Sequence, residues 1–154
     1  MKIVLASDHN GVSFKEFLKT YLTSKNHECE DAGSFEGETG VDYPDYGFAA
    51  AEMVSRGEVD RAVLICGTGI GMSIVANKVK GIRAALCLNA DAARLSRQHN
   101  DANVLVITGW QSEQDELCRI IDLFCDTEFE GGRHQRRVDK ISAYEQAMLD
   151  QARN

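Results

Sequence analysis

Apolar positions along this chain fall into short continuous runs that alternate with stretches of helical periodicity. The run at residues 61–66 is almost entirely apolar, as expected for a central parallel strand that is covered on both faces. Phe14, Phe17, Leu18 and Leu22 recur at intervals of three and four residues, which predicts one face of a helix. The whole pattern predicts strands at residues 3–7, 27–32, 61–66, 83–88 and 103–108, separated and followed by helices near residues 14–22, 44–54, 72–79, 90–98 and 117–124. This alternation predicts a doubly wound α/β fold, a three-layer αβα sandwich around a five-stranded parallel sheet.

The C-terminal part of the chain follows a different pattern. Residues 134–154 form a polar, helix-compatible tail with little apolar surface. We expect this C-terminal helix to embrace a partner subunit, because it offers too few apolar side chains to pack alone. No change of composition marks a linker, so we interpret residues 1–154 as a single domain.

The composition narrows the classes of partner. Hydrophobic residues make up 44% of the chain and charged residues 27%, and no apolar run is long enough to span a bilayer. The apolar run after Met1-Lys2 is too short for a signal peptide, and the five cysteines are odd in number without a CxxC pair. These features favour reduced thiols in the cytoplasm. The net charge of −7 disfavours nucleic acid and anionic membranes as partners, but a small anionic ligand needs only a local cluster of cations.

Candidate chemistry is concentrated where the predicted strands end. In open α/β sheets, ligands bind at the carboxyl ends of the strands. Asp8-His9 follows the first strand, Cys66 to Gly71 the third, and Trp110 the fifth. His99-Asn100 precedes the fifth strand, so this pair could reach the same edge only by a loop excursion or from a second subunit.

The most informative segment is Cys66-Gly67-Thr68-Gly69-Ile70-Gly71-Met72-Ser73. Its glycines allow backbone N–H groups to approach a ligand, and the following helix presents its positive end to an anion. Such a turn can hold a phosphate or the oxyanion of an enediolate, although a ligand-free strand-to-helix turn fits the same pattern. Cys66 could act as a thiolate base or nucleophile, or could be a buried structural thiol.

Three more groups have both a chemical and a plain structural interpretation. Asp8-His9 could bind sugar hydroxyls or could form only an Asx-type turn. His99 could take part in chemistry or could supply only a favourable charge at a helix end. Arg133 and Arg137, four residues apart, suit a phosphate dianion, but they also fit a solvated helix face paired with acids. The histidines show no ligand spacing, so no metal site is predicted.

Six segments in chain order resemble the ribose-5-phosphate isomerase B family, which includes the related galactose-6-phosphate and allose-6-phosphate isomerases. They are Ser7-Asp8-His9-Asn10-Gly11, Val41-Asp42-Tyr43-Pro44-Asp45-Tyr46, Cys66-Gly67-Thr68-Gly69-Ile70-Gly71-Met72-Ser73, Ala76-Asn77-Lys78, Leu95-Ser96-Arg97-Gln98-His99-Asn100-Asp101 and Glu130-Gly131-Gly132-Arg133-His134-Gln135-Arg136-Arg137. Each segment alone is a weak signal, but the ordered set is specific. The resemblance covers the chain from Met1 to about Glu145.

The resemblance implies a Rossmann-like homodimer, or a dimer of dimers, whose active sites lie between subunits and use no cofactor. It implies interconversion of ribose 5-phosphate and ribulose 5-phosphate through an enediolate, with Cys66 moving a proton between C1 and C2 and His99 opening the sugar ring. Thr68 would hydrogen-bond the substrate oxygens, and the backbone of Gly67, Gly69, Ile70 and Gly71 would stabilise the enediolate. Asp8 and Asn100 would bind hydroxyls, and His9, Arg133 and Arg137 would hold the phosphate.

The sequence departs from this family at two places. Family members commonly carry an arginine shortly after the fifth strand, where this chain has Trp110, and a polar or charged pair where it has Leu88-Asn89. Tryptophan lacks the charge and the donor fork of arginine, so Trp110 favours a second hypothesis, an isomerase of a tetrose or hexose phosphate. The chain could also be a non-catalytic sugar-phosphate-binding protein, or a subunit that needs a paralogous partner. The retained Cys66 and His99 argue against the non-catalytic protein.

Overall fold

The computed structural model describes residues 1–110 and 113–152. Its strands are β1 (Lys2–Ser7), β2 (Glu28–Asp31), β3 (Arg61–Cys66), β4 (Ala84–Leu86) and β5 (Val104–Thr108). Its helices are α1 (Val12–Ser24), α2 (Tyr43–Ser55), α3 (Ile70–Ala76), α4 (Ala90–Asn100), α5 (Gln114–Asp126) and α6 (Arg133–Ala152). The last two residues of the expected C-terminal helix, 153–154, lie outside the described residues.

The five strands form one parallel sheet in the order β2-β1-β3-β5-β4. The chain winds from β1 outward to β2, returns to β3, and then builds β4 and β5 on the other side. The carboxyl ends of β1, β3 and β5 therefore lie side by side at one edge of the sheet, where the winding reverses direction. The predicted fold class is confirmed.

Apolar side chains cover both faces of the sheet. Leu18 and Leu22 of α1 join residues of α4 and α5 against one face, while Ala50 of α2 and Met72 of α3 pack against the other. The central strand β3 contributes alternate residues to the two clusters, which explains why its sequence is apolar throughout. The edge strand β2 instead carries three acidic residues, which discourage pairing with a further strand.

Most elements lie within a few residues of their predicted bounds, and the departures at β4 and α3 have identifiable causes. Strand β4 has three residues rather than six, and the N–H of Arg83 donates to the side chain of Asn103 at 2.8 Å instead of to a neighbouring strand. Helix α3 begins at Ile70, two residues before the predicted start, because Gly69 in the left-handed conformation (φ +77°) reverses the chain there. The turn that follows Cys66 is therefore shorter than its glycine content indicated.

Helix α6 confirms the predicted C-terminal helix but also packs on its own chain. His134 and Val138 are buried against the domain, and the Glu145 carboxylate accepts the N–H of Gly81 at 2.9 and 3.0 Å. Part of the tail therefore packs on its own chain, and its contact with a partner subunit stays a prediction. An exposed face remains, formed by Ile141, Tyr144 and Met148. Within the described residues, no helix combines the length and apolar character that crossing a bilayer requires.

The imidazole of His27 makes the folded state less stable at acidic pH. Its Nδ1 is buried, with no hydrogen-bond partner among the described residues, and its backbone N–H donates to Leu22 at 3.1 Å. Burial lowers the pKa of His27, and the nearby N-terminal ammonium lowers it further. The folded chain therefore resists protonation of a group that the unfolded chain protonates below about pH 6.5.

We predict that the free energy of unfolding decreases as the pH falls from 7 to 5, and that His27→Gln makes this decrease shallower. A lowered folded-state pKa means that the unfolded state binds more protons in this window, so stability is lost as pH falls. Urea unfolding of both proteins at several pH values measures the two slopes. Equal slopes for the variant and the wild type would contradict the assignment to His27.

Candidate active site

The backbone carbonyl of Cys66 organises the turn after β3. It accepts the N–H of Gly69 at 3.2 Å and the N–H of Gly109 at 2.9 Å. A Cβ on Gly69 would lie 2.5 Å from Leu86 Cδ1 and 3.2 Å from the carbonyl oxygen of Ile107, so both its conformation and its surroundings require glycine. The turn is thereby held against the ends of β4 and β5.

Cys66 and Thr68 lie on either side of the first turn glycine. The Cys66 residue is 4% exposed at the end of β3, which shields its thiol from bulk water. The Thr68 hydroxyl is exposed, and its oxygen accepts the N–H of Ile70 at 3.2 Å. The described residues provide no acceptor for the Thr68 hydroxyl, so this group can donate to a ligand oxygen.

Asp8 and His9 form a second loop at the same edge. The N–H of Asp8 donates to the carbonyl of Ile65 at 3.1 Å, which ties the loop to β3 next to Cys66. The Asp8 carboxylate accepts the backbone N–H of Asn10 at 2.9 Å and its side-chain amide at 3.4 Å. The Asx-type turn, one of the two interpretations that the sequence left open, is therefore present, and it fixes the orientation of the buried Asp8 carboxylate.

Trp110 lies against the turn from the side of β5. A Cβ on Gly67 would lie 2.7 Å from two ring carbons of Trp110, so the indole edge rests on the Gly67 backbone. The hydroxyl of Thr108 donates to the carbonyl of Gly67 and accepts the N–H of Trp110 at 3.2 Å. The indole is nonetheless 72% exposed, so it offers a broad apolar surface at the edge of the sheet.

The two departures from the family pattern line one cavity. Leu88 and Trp110 face an opening of about 540 Å³ beside the ends of β4 and β5. Leu117 and Ile120 of α5 form its apolar wall, and Glu113 and Glu116 contribute carboxylates. This cavity adjoins the Gly67 backbone but is separate from the Asp8 loop.

Tyr43 is a neighbour of the turn that the sequence analysis did not single out. A Cβ on Gly71 would lie 2.7 Å from the Tyr43 ring, so this ring covers the start of α3. Tyr43 was visible in the sequence only as part of the segment before Pro44. Its contact depends on how α2 packs on α3, which the local sequence does not specify.

The remaining candidates form a second group away from the turn. His99, in the last turn of α4, stacks on His134 of α6 with ring centroids 4.2 Å apart and planes inclined by 3°. The Nε2 atom of His134 accepts the Nε–H of Arg133 at 3.3 Å and lies 3.6 Å from a Glu130 carboxylate oxygen. Burial, followed by the charges of His99 and Arg133, lowers the pKa of His134. Arg137 is exposed one turn further along α6.

The structure separates these two groups within one chain. Helix α4 starts beside the carboxyl end of β4 and ends at Asn100, next to the start of β5. Cys66 therefore lies at the carboxyl ends of the strands and His99 near their amino ends. The two residues are roughly 15 Å apart along the strand direction for a strand of this length. Because His99 is fixed in a helix, the loop excursion that the sequence left open is excluded. Within one chain, His99 and Asn100 therefore do not reach Cys66.

His99, Glu130 and His134 also form a cluster of possible metal ligands that their sequence spacing concealed. Their ligand atoms all lie within 4.8 Å of one another. Tetrahedral zinc, with bonds of about 2.0–2.1 Å, needs ligand atoms about 3.4 Å apart and lone pairs that converge. Parallel stacked rings do not converge, and Arg133 already donates to His134. This geometry does not fit a metal, and the absence of a metal site stays a prediction.

Comparison with known proteins identifies the family of this chain. A sequence model of the family described as Ribose/Galactose Isomerase matches residues 3–141. The chain is 50% identical to the putative sugar phosphate isomerase YwlF of Bacillus subtilis over 97% of this chain and 100% of that protein.

Solved structures agree with this match. The ribose-5-phosphate isomerase B of Clostridium thermocellum has a TM-score of 0.92 and 47% identity, covering 96% of this chain and 99% of that one. That of Mycoplasma genitalium, solved with bound ribulose 5-phosphate, has a TM-score of 0.90 and 42% identity, covering 94% and 96%. Because the family model covers residues 3–141 and these relatives are 42–50% identical over nearly the whole chain, the chain belongs to the ribose/galactose isomerase family of enzymes.

Proposed function

We propose that this chain interconverts ribose 5-phosphate and ribulose 5-phosphate without a cofactor, and that Cys66 is the base. The observation that carries the proposal is the position of Cys66 at the end of β3, between the Asp8 loop and the Gly67 turn. A structural relative with 42% identity is known with ribulose 5-phosphate bound. The reduced thiols that this chemistry needs fit a cytoplasmic enzyme.

The proton transfer follows from the thiolate of Cys66. It takes the proton from C2 of the open-chain aldose, and the electron pair of that C–H bond forms the C1=C2 bond of the enediolate while negative charge develops on O1. The proton of O2 moves to O1, and the thiol returns its proton to C1, which gives the ketose and regenerates the thiolate. Thr68 would stabilise the charged oxygens, together with those backbone N–H groups of residues 67–71 that are not bonded within the turn, as those of Gly69 and Ile70 are.

Cys66 is the best candidate among the five cysteines. Burial raises the pKa of each of the other four, Cys29, Cys87, Cys118 and Cys125, and that of Cys125 to about 11. These groups remain neutral thiols near pH 7 and are poor bases. Of the five, only Cys66 directly precedes the glycine-rich turn.

The remaining roles require a homodimer. We assign ring opening to His99 and phosphate binding to Arg133 and Arg137, supplied by one chain to the Cys66 of another. In support, these groups share one region of α4 and α6, whereas Cys66, Asp8 and His9 share another. The exposed apolar face of α6, formed by Ile141, Tyr144 and Met148, supplies a surface for association. Asn100 would bind a substrate hydroxyl from the same side as His99.

The first test is Cys66→Ser, which we expect to lower kcat at least 100-fold while substrate affinity changes less than tenfold. A serine hydroxyl is nearly the same size but a much weaker base, and general base catalysis is typically worth about 10²–10⁴ in rate. A coupled assay across four-, five- and six-carbon aldose phosphates measures the activity. Cys118→Ser is the matched control and should retain wild-type rates.

A Cys66→Ser enzyme with more than a few per cent of kcat would contradict the role of Cys66. A wild type that is inactive on every sugar phosphate would favour a non-catalytic binding protein.

The shared site predicts complementation between two inactive variants. Mixing Cys66→Ser with His99→Gln should restore about a quarter of the wild-type activity, since random exchange makes half of the dimers mixed and each mixed dimer has one intact site. Native mass spectrometry measures the mixed dimers alongside the assay. Mixed dimers without activity would show that both residues act within one chain.

A second candidate function rests on Trp110 and Leu88. Their shared cavity replaces expected polar groups with apolar surface directly beside the Gly67 turn. An apolar wall with two carboxylates, those of Glu113 and Glu116, disfavours a phosphate and favours the carbon chain of a sugar. The alternative substrate is therefore a tetrose or hexose phosphate such as allose 6-phosphate.

The test of this second function is Trp110→Arg, for which we expect a severalfold gain in kcat/KM on ribose 5-phosphate. The guanidinium restores a positive charge and a donor fork where the indole has one donor. The same panel of aldose phosphates, measured for both proteins, reports the change in preference. If the variant gains nothing and the wild type already prefers ribose 5-phosphate, Trp110 does not set specificity.

A further inference from the structure

The most unusual polar group outside the proposed chemistry is the ammonium of Lys15. Its side chain is 0% exposed, although lysine is almost never fully buried unless it is paired. Nζ bonds the Asp31 carboxylate, lies 3.5 Å from Glu16, and sits 4.7 Å from the centre of the Phe35 ring. A buried charge of this kind costs more than it stabilises unless its geometry is well satisfied, so it invites a functional explanation.

Asp31 connects this ammonium to the backbone after β2. One carboxylate oxygen accepts both Lys15 Nζ and the N–H of Gly33, the latter at 3.0 Å, and the other accepts Lys19 Nζ at 3.2 Å. Burial alone would raise the pKa of Asp31, but the donors from Lys15, Gly33 and Lys19 outweigh it and hold the pKa below its ordinary value. Asp31 therefore stays charged and keeps its bond to Gly33 across the neutral range.

Gly33 and Ser34 in turn hold the end of β1. The carbonyl of Gly33 accepts the N–H of Ser7, and the carbonyl of Ser7 accepts the N–H of Ser34 at 2.6 Å. Ser7 is the residue directly before Asp8. A continuous set of hydrogen bonds thus joins the buried ammonium to the backbone of the proposed substrate-binding carboxylate.

We propose that Lys15 is a positioning residue for the isomerase reaction, which acts through Asp31 and the Gly33–Ser34 backbone to fix Asp8. Resting on the proposed function, this inference assigns Lys15 no contact with substrate. Its ammonium determines where the end of β1 lies relative to Cys66 on the neighbouring strand. Loss of this contact loosens the Asp8 loop, and it affects substrate binding more than proton transfer at Cys66.

The experiment compares Lys15→Met, Lys15→Met/Asp31→Leu and the control Lys25→Met. Lys15→Met should raise KM about tenfold or more with kcat within threefold, which is the size of effect expected for losing one charge-assisted hydrogen bond. Lys25 lies just past the end of the same helix and pairs with Asp122. Its side chain is 42% exposed and far from the Asp8 loop, so Lys25→Met should change neither KM nor kcat.

The double variant separates positioning from stability. Replacing both members of a buried ion pair by apolar residues often restores stability that the single variant loses. We expect the urea midpoint of Lys15→Met/Asp31→Leu to recover toward that of the wild type while KM stays raised, because Gly33 no longer has its carboxylate acceptor. Recovery of both quantities together would mean that the pair serves only stability and would overturn the proposal.

A double-mutant cycle with Asp8→Ala provides the second readout. If Lys15 acts through Asp8, Lys15→Met should raise KM much less in the Asp8→Ala background than in the wild type. Equal increases in both backgrounds would overturn the proposal. A wild type active on sugar phosphates with an unaffected Lys15→Met refutes only this inference, whereas a wild type inactive on all of them refutes the proposed function itself.

Discussion

One backbone acceptor, the carbonyl of Cys66, fixes the geometry on which the site depends. By accepting N–H groups from Gly69 and Gly109, it ties the turn after β3 to the end of β5. The N–H of Asp8 donates to the carbonyl of Ile65, the residue before Cys66. The segments that follow β1, β3 and β5 are therefore all bonded to the last two residues of β3. This convergence is possible only because the sheet is parallel and its winding reverses beside β3. A thiol at this position therefore lies near polar groups from distant parts of the sequence, and no long loop is needed to bring them there.

The sequence predicted the fold class because local patterns determine it. Continuous apolar runs marked β1, β3 and β5, and periodic apolar positions marked the helices between them. Errors fell on elements whose limits depend on particular backbone contacts, such as β4, where Arg83 bonds a side chain, and α3, where Gly69 sets the first residue. The apolar pattern carries no information about such contacts.

The candidate site was only partly predictable, for a similar reason. Cys66 and Asp8 were identified because they lie where strands end, and strand ends are expected to meet, whereas the role of Thr68 came from the family resemblance. The stacking of His134 on His99, the cover of Tyr43 over Gly71 and the burial of Lys15 depend on helix packing between segments far apart in sequence. From the sequence alone, Lys15 in an amphipathic helix is expected to be solvated. Its burial follows from the position of Asp31, which the neighbouring strand β2 brings to its ammonium.

The distance between His99 and Cys66 has a consequence for how the enzyme behaves in dilute solution. On the proposed assembly, a lone chain holds a thiol without its ring-opening histidine and arginines without the turn they serve. Specific activity then depends on protein concentration, because dissociation disassembles the catalytic centre without unfolding either chain. A separated subunit would stay folded, with its own α6 still packed through His134 and Val138, but it would be inactive. Protein concentration would therefore control activity through the equilibrium between subunits and dimers.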